Sequence, residues 1–376
     1  MPLFVYVLGL AVFAQGTSEF MASGLVPGIA GDLSVPVGAA ATLTSAYAVG
    51  MIVGAPAMAV LSARWPRRRA LAGFLTAFVV VHVIGALTTS FPVLFGTRIV
   101  AAVVNAGFLA VAMPVAAALT PPGKQARATA VLLAGITLSC VAGVPAGAVL
   151  GDLAGWRSAF WAVAASCLPA LVLVFRSAPA DAAGPREISI KREASELETR
   201  PVRQAMILAA LVNGATFATF AFLAVIATDV AGLPAAAVSG LLAAFGVGAF
   251  IGVTVAGRTG DGGLRRGLIL ALCALPVGWT VLAATSSHPV ALFLVTTVQG
   301  GLSFGCGSAL VARVMHVAPG APALSGSFAT VALNLGAFLG PVLAGSVTES
   351  TGDYRYAIWI SAALAVVALT RVPSRS

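Results

Sequence analysis

The chain has 376 residues, 59% of them hydrophobic and 9% charged, with a mean hydropathy of +1.02. A soluble domain with a hydrated surface cannot carry that composition, so the sequence is that of a polytopic membrane protein. Its net charge of +9 and pI near 10.3 would suggest nucleic acid in a soluble protein, but the basic residues lie almost entirely in the turns between apolar runs, which argues against that partner.

A bilayer core roughly 30 Å thick needs about 20 apolar residues per helix. Twelve stretches meet that length: 3–28, 38–62, 69–89, 91–118, 128–150, 157–175, 204–228, 236–257, 267–286, 290–312, 323–347 and 355–372. The first has no basic n-region and eleven comparable runs follow it, so it reads as a mature helix and not as a signal peptide. It contains AQGTSEFMASGLVP, in which Gln15, Glu19 and Ser23 recur at i, i+4 and i+8 and form one polar stripe on an apolar cylinder. An acid at mid-membrane costs roughly 2.5–3.5 kcal/mol on insertion scales, so such groups face the bundle interior and mark proton or substrate paths. The stripe is therefore expected to face a cavity, the alternative being a packing carboxylate permanently paired with a cation.

The fourth run holds Arg98, with Asn105 seven residues on along the same face. At 1.5 Å per residue, Arg98 lies about 10 Å inward from Phe91 and Glu19 about 12 Å inward from Pro27. Their depths agree, so Glu19 and Arg98 are the candidate proton-coupling pair, either switchable or a static strut. Tyr47, Asn213 and Asn334 join Gln15, Ser23 and Asn105 as candidate substrate contacts, with hydrogen bonding between helices as the competing role. His82, in the peripheral third helix, is expected to be neutral and hydrogen-bonded, and Asp229, at a helix end, hydrated.

A charged stretch from Arg176 to Arg203 divides the chain into bundles of six helices, 1–175 and 204–376, joined by a linker at 176–203 whose composition is that of a partly disordered segment. With the N-terminus inside, 18 of the 21 basic residues fall in inner segments; Arg157 and Arg355 fall outside and Arg98 within a helix. Enrichment of Lys and Arg on the retained side puts both termini in the cytoplasm. The halves repeat each other: Tyr47-Ala-Val-Gly50-Met-Ile-Val-Gly54 matches Phe245-Gly-Val-Gly248-Ala-Phe-Ile-Gly252 at an offset of 198, which Pro36 and Pro234, Gly107 and Gly305, and Arg157 and Arg355 share.

Three further motifs bear on family. After the second helix comes Leu61-Ser-Ala-Arg-Trp-Pro-Arg-Arg-Arg69, and at its repeat position Gly257-Arg-Thr-Gly-Asp261-Gly-Gly-Leu-Arg265-Arg266. The fifth helix ends Gly143-Val-Pro145-Ala-Gly147-Ala-Val-Leu-Gly151, then Gly155-Trp-Arg157-Ser-Ala-Phe160. Glycines four apart let helices approach closely, and proline interrupts the ladder where a hinge could sit. Parallel six-helix repeats with a site between them are the plan of the major facilitator fold, and these segments resemble its basic loop motif, the antiporter motif of its drug exporters and its helix-4 arginine motif. Ala63 stands where the loop motif has an acid, Pro66 where it has glycine, and Ala101 and Ala102 where the helix-4 motif has Gln and Gly. Over residues 1–175 the chain resembles the actinobacterial chloramphenicol-resistance transporters, drug:proton antiporters of that superfamily.

The resemblance implies an all-α membrane protein of twelve transmembrane helices. It implies proton-coupled export of chloramphenicol or a related small amphipathic drug across the cell membrane, by a monomer without cofactors. Gly143, Pro145, Gly147, Arg157 and Asp261 become candidate gating residues, with plain close packing or charge anchoring as the alternative. The residues alone reach only a proton-coupled transporter; an exporter of sugars or other metabolites, or a facilitative importer, stays open. An enzyme is not expected, since three scattered histidines without HExxH, GxSxG or paired acids offer no catalytic set. The absence of GxxxxGK[ST] leaves an ion or substrate gradient as the energy source. Cys140, Cys167, Cys273 and Cys306 lack metal or redox spacing and read as small core residues.

Overall fold

A computed structural model describes residues 3–62, 65–120, 131–132, 134–136, 138–177, 190–258, 261–321 and 324–371, and these form helices joined by short turns, with no strand among them. In chain order they are α1 Leu3–Asp32, α2 Val37–Leu61, α3 Arg67–Leu87, α4 Phe91–Ala118, α5 Ala134–Ala154 and α6 Trp156–Ser177. There follow α7, Arg200–Phe220 continued after a bend as Leu223–Val230, then α8 Ala235–Arg258, α9 Asp261–Thr285, α10 Pro289–Val317, α11 Ser325–Thr351 and α12 Arg355–Thr370. Ten are long and apolar enough to cross a membrane and the bent α7 supplies an eleventh. The shorter α12, 16 residues long, stands where the last span is expected. Large apolar side chains such as Leu270 and Val290 point outward, as a lipid-facing exterior requires.

Three departures from the expected helices have local causes. The first helix does not stop near Pro27 but carries it inside and ends at Asp32, a placement that membrane helices tolerate. In α5, Ser139–Gly143 form a π turn, with the Val144 N–H reaching back to the Ser139 carbonyl. The next residue is Pro145, which has no N–H to continue the ladder and crowds the preceding turn, so the widened turn absorbs the misfit. The bend in α7 is 41° and falls at Ala221–Phe222, where the Phe222 N–H bonds Thr219 three residues back and tightens the helix.

The internal repeat extends to atomic packing. A methyl group on Gly54 would come within 2.8 Å of Val103 Cα in α4, and one on Gly252 within 2.8 Å of Gly301 Cα in α10; both partners are related by the same 198-residue offset. Gly50 abuts the Ile99 carbonyl as Gly248 abuts that of Thr297. The small residues read from the sequence are thus where two backbones touch, α2 on α4 and α8 on α10.

Two of the seams between the halves are built on small residues. Along α2 and α11, Ser45 Oγ donates to the Phe338 carbonyl at 2.9 Å and Ser327 Oγ to the Ala55 carbonyl at 3.4 Å, while Gly38 lies against the Glu349 side chain. Along α5 and α8, Gly246 rests on the backbone of Cys140 and Val141, the widened turn of α5. A small apolar cluster around Val202, Val314, Leu324 and Phe328, with Val60 and Leu197 against it, closes the basic end.

The linker was expected to be partly disordered. Residues 178–189 lie outside the described residues, but Ile190–Ala194 is helical and Ser195–Glu198 forms a 3-10 turn docked on the second half. There the Leu324 N–H, at the start of α11, donates to Glu193 Oε2 at 2.9 Å, an acid placed where the helix dipole favours one. Cys140, Cys167 and Cys306 are buried as expected, whereas Cys273 faces outward from α9.

Candidate functional site

Arg98 enters the bundle from α4 with 1% of its surface exposed. An arginine held from water needs every donor answered, and α1 answers most of them. Nη1 donates to Ser18 Oγ at 2.8 Å; Nη2 donates to the Ser18 carbonyl at 2.6 Å and the Glu19 carbonyl at 3.2 Å. The guanidinium lies over the Tyr47 ring of α2, 4.6 Å from its centroid, a cation–π contact. The Tyr47 hydroxyl in turn accepts from Asn105 Nδ2 at 2.9 Å, so α4 holds Tyr47 by its ring face through Arg98 and by its hydroxyl through Asn105.

The expected neighbourhood of Glu19 and Arg98 is present, but their charged groups are not bonded. Arg98 takes the main-chain carbonyl of Glu19; among the described residues the ion pairs are Arg157–Asp32 and Arg355–Asp353. Glu19 itself is a half-buried residue. Gln15 and Ser23, its stripe mates, are fully enclosed. Ser23 bonds back to the Phe20 carbonyl at 2.8 Å, while neither amide atom of Gln15 has a partner among the described residues.

Beside this polar set, beginning at the residue after Glu19, lies an aromatic cluster. Phe20 of α1 meets Phe217 of α7 at 6.0 Å and Phe304 of α10 at 6.4 Å between ring centroids. Phe217–Phe220, Phe220–Phe245 and Phe245–Phe304 follow at 5.7, 4.8 and 5.8 Å. The sequence did not announce this group, because its five members sit on four helices far apart in the chain, scattered among 19 phenylalanines. Ser18 was also passed over, as one small residue beside a more conspicuous acid.

The other candidates sort by partner. Asn213 bonds across helices to the Leu333 carbonyl at 2.7 Å, and Asn334 bonds back within α11 to the Thr330 carbonyl at 3.0 Å, so both are engaged in helix packing here. Gly143 and Gly147 face α1, Gly143 against Thr17 and Gly147 against Met21, and Pro145 follows the π turn directly. Gly155, at φ +80°, makes the tight turn into α6 that a residue with Cβ would strain. Beyond it Arg157 pairs with Asp32 and donates to the Thr88 carbonyl at 3.0 Å, tying the ends of α1, α3 and α6. Its repeat mate Arg355 pairs locally with Asp353 at 2.8 Å, and the hydrogen bonds it donates hold that carboxyl below the usual carboxylate range. Asp229 is exposed and accepts from Thr228 Oγ1 at 2.6 Å, as a hydrated helix-end acid should. Asp261 begins α9, but its side chain lies outside the described residues, as do Ala63 and Arg64 of the first basic loop.

Two grooves, of 420 Å³ beside α7, α11 and α12 and 520 Å³ among α8, α9 and α10, open on the apolar exterior away from Arg98.

Comparison with known proteins places this architecture. Residues 8–321 match the sequence model of the Major Facilitator Superfamily. The chain is 52% identical to a chloramphenicol resistance protein of Streptomyces lividans, over 98% of this chain and 95% of that one. It is 29% identical to a chloramphenicol efflux pump of Mycobacterium tuberculosis, over 91% and 85%. Its fold is that of the nucleoside transporter NupG (D323A mutant), with a TM-score of 0.76 at 14% identity, covering 98% of both chains. The chain is a transporter that spans the membrane many times, and it belongs to the major facilitator superfamily.

Proposed function

We propose that this protein exports chloramphenicol or a related amphipathic drug from the cell in exchange for protons. The observation that carries this reading is the buried polar set around Glu19 and Arg98, which adjoins, at Phe20, an aromatic cluster drawn from both halves. A neutral drug with an aromatic ring and hydroxyl or amide groups matches both: stacking on Phe217 or Phe304 is worth about 0.5–1.5 kcal/mol per ring pair, and Gln15, Ser23, Tyr47 and Asn105 offer hydrogen bonds. In the substrate-bound state Asn213 and Asn334 exchange their helix partners for the drug. Two relatives named for chloramphenicol resistance and efflux support the substrate class.

On this reading Glu19 carries the proton. Burial favours the protonated acid and a nearby guanidinium favours the carboxylate, so release follows when Arg98 leaves the carbonyls of α1 for the carboxylate, and uptake when it returns. The bundles 1–175 and 204–376 rock about the linker 176–203. The π turn at Gly143 with Pro145 and Gly147 serves as hinge, the ties of Arg157 to Asp32 and Thr88 serve as one latch, and Asp261 is the candidate for another. The protein works as a monomer in the cell membrane with both termini cytoplasmic and without nucleic-acid partners; the one-sided placement of its basic residues supports that orientation. A membrane potential of 100 mV is worth about 2.3 kcal/mol per charge, so one proton exchanged for a neutral drug sustains roughly a 50-fold drug gradient.

The test is drug uptake into inverted vesicles under an imposed pH gradient, with chloramphenicol, sugars and nucleosides in the panel. The reading expects chloramphenicol or a similar compound to accumulate unmodified and an uncoupler to abolish accumulation. Accumulation indifferent to the uncoupler, or of sugars alone, contradicts it. A reporter inserted near Ser195 should register cytoplasm.

A further inference from the structure

Ser18 lies between two groups, and donor–acceptor bookkeeping fixes every proton around it. Arg98 has donors only, so Ser18 Oγ accepts from Nη1 at 2.8 Å. On the other side Ser18 Oγ is 2.6 Å from His82 Nε2, and His82 Nδ1 is 2.7 Å from the Phe78 carbonyl. A carbonyl can only accept, so Nδ1 carries a proton. The oxygen has a second lone pair, but a protonated Nε2 beside the Nδ1 proton would make the ring a cation sharing one buried oxygen with Arg98, so the Ser18 hydroxyl proton points at a bare Nε2. His82 is therefore the neutral Nδ1–H tautomer, 98% buried, with its ring tilted 35° against that of Phe78 at 4.2 Å and near Phe160 at 5.9 Å. A second proton on the ring would turn Nε2 into a donor and set two cations on one oxygen.

We infer that His82 is a positioning residue for Arg98: by taking the Ser18 hydroxyl proton it aims that oxygen at the guanidinium and keeps Arg98 on the carbonyls of α1, leaving the Glu19 carboxylate unbonded. The clasp joins α1, α3 and α4. The charged and titratable groups around it are few: Glu19 from α1, Arg98 from α4 and, through Arg98, Tyr47 from α2. Helix α6 presents Phe160 to the ring; its arginines, Arg157 and Arg176, stand at its ends and Cys167 is buried within it. With the clasp broken, Arg98 has lost one of its three α1 contacts and the free carboxylate one residue along competes for it. Arg98 on the carboxylate favours the ionised acid, so Glu19 then takes a proton only at lower pH.

The inference rests on the proton role proposed for Glu19, and the experiment separates the two. In reconstituted wild-type protein, ¹⁵N-histidine spectra should show His82 in the neutral Nδ1–H form from pH 5.5 to 8.5, with Ser18→Ala shifting its Nε2 signal; His288 and His316 are told apart by His82→Gln. Transport is then read as the pH of half-maximal drug exchange, normalised to each variant's own maximum. His82→Leu, which has no acceptor, should move it about one unit toward acid, a tenfold change in proton affinity. His82→Gln, which keeps an acceptor at the ε position, should restore it, and Ser18→Ala should reproduce the leucine shift without adding to it. A charged or Nε2–H ring in the wild-type spectrum overturns the inference even if a variant fails to fold, as do additive shifts or a wild-type profile in His82→Leu. Glu19→Gln with unchanged pH dependence overturns the proton role instead, and leaves the spectrum as the judge of the clasp.

Discussion

The two halves share a skeleton and differ in chemistry at equivalent positions. Glycines 198 residues apart sit on equivalent backbones, Gly54 on Val103 and Gly252 on Gly301. The charged and ring-bearing members of the first half's polar set have no such copy, although Gln15 and Ser18 fall on Asn213 and Thr216 at that offset. At the same offset Glu19 becomes Phe217, Tyr47 becomes Phe245, His82 becomes Thr280, Arg98 becomes Thr296 and Asn105 becomes Ser303. One half has kept charge and hydrogen bonds, while the other has replaced them with aromatic rings and small hydroxyls. Packing between neighbouring helices must be right in both halves for either to fold, whereas a site shared by both needs only one to handle protons. On the proposed reading the first half couples and the second grips.

Glu19→Gln should produce the largest effect: the drug gradient driven by pH, roughly 50-fold per 100 mV for one proton, falls to about unity while drug still binds, measured by uptake and by equilibrium binding on the same vesicles. Gly54→Val and Gly252→Val should come next and alike, since each forces side-chain atoms against a backbone. Overpacking costs about 1–3 kcal/mol, enough to lower the abundance of folded protein several-fold; a large loss in one half only would show that the repeat is not equivalent in packing. Phe217→Ala should be milder, raising the drug KM about 2- to 10-fold through a lost ring contact with the pH profile unmoved; a shifted profile would erase the division between a coupling half and a gripping half. The smallest effect belongs to the outer turns. The Asp353 carboxyl is held below its ordinary value of 3.8 by Arg355, so its contribution to stability is present above that pH and is lost as pH falls through the lowered value. Asp353→Asn should flatten that acid limb of thermal stability and leave transport at neutral pH unchanged.

Much of this was legible because it is written in spacing. The succession of long apolar helices follows from apolar length, and the matched packing of Gly54 and Gly252 from a constant offset. Other features are set by long-range encounters that no local pattern records. The depths of Arg98 and the acid agree, yet Arg98 settles on the carbonyls of α1, because which of two neighbouring acceptors an arginine takes depends on contacts such as the one that Ser18 makes with it. Phe20, Phe217, Phe220, Phe245 and Phe304 converge only once the halves meet. The π turn of α5 was half visible, since Pro145 announced an interruption but not that Gly246 of α8 would lie on it. The ordered end of the linker was hidden by its composition: Glu193 counts as a charge in sequence and acts as a helix cap in the fold.

The most direct test of exchange at a shared site is proton release on drug binding by purified protein in weakly buffered detergent solution. Near the pH at which Glu19 titrates, adding chloramphenicol, or the drug found in the transport panel, should release up to one proton per wild-type molecule and none from Glu19→Gln. Equal release from both, or saturable binding to the wild type without release at any pH from 5.5 to 8.5, would contradict the coupling of drug and proton through Glu19.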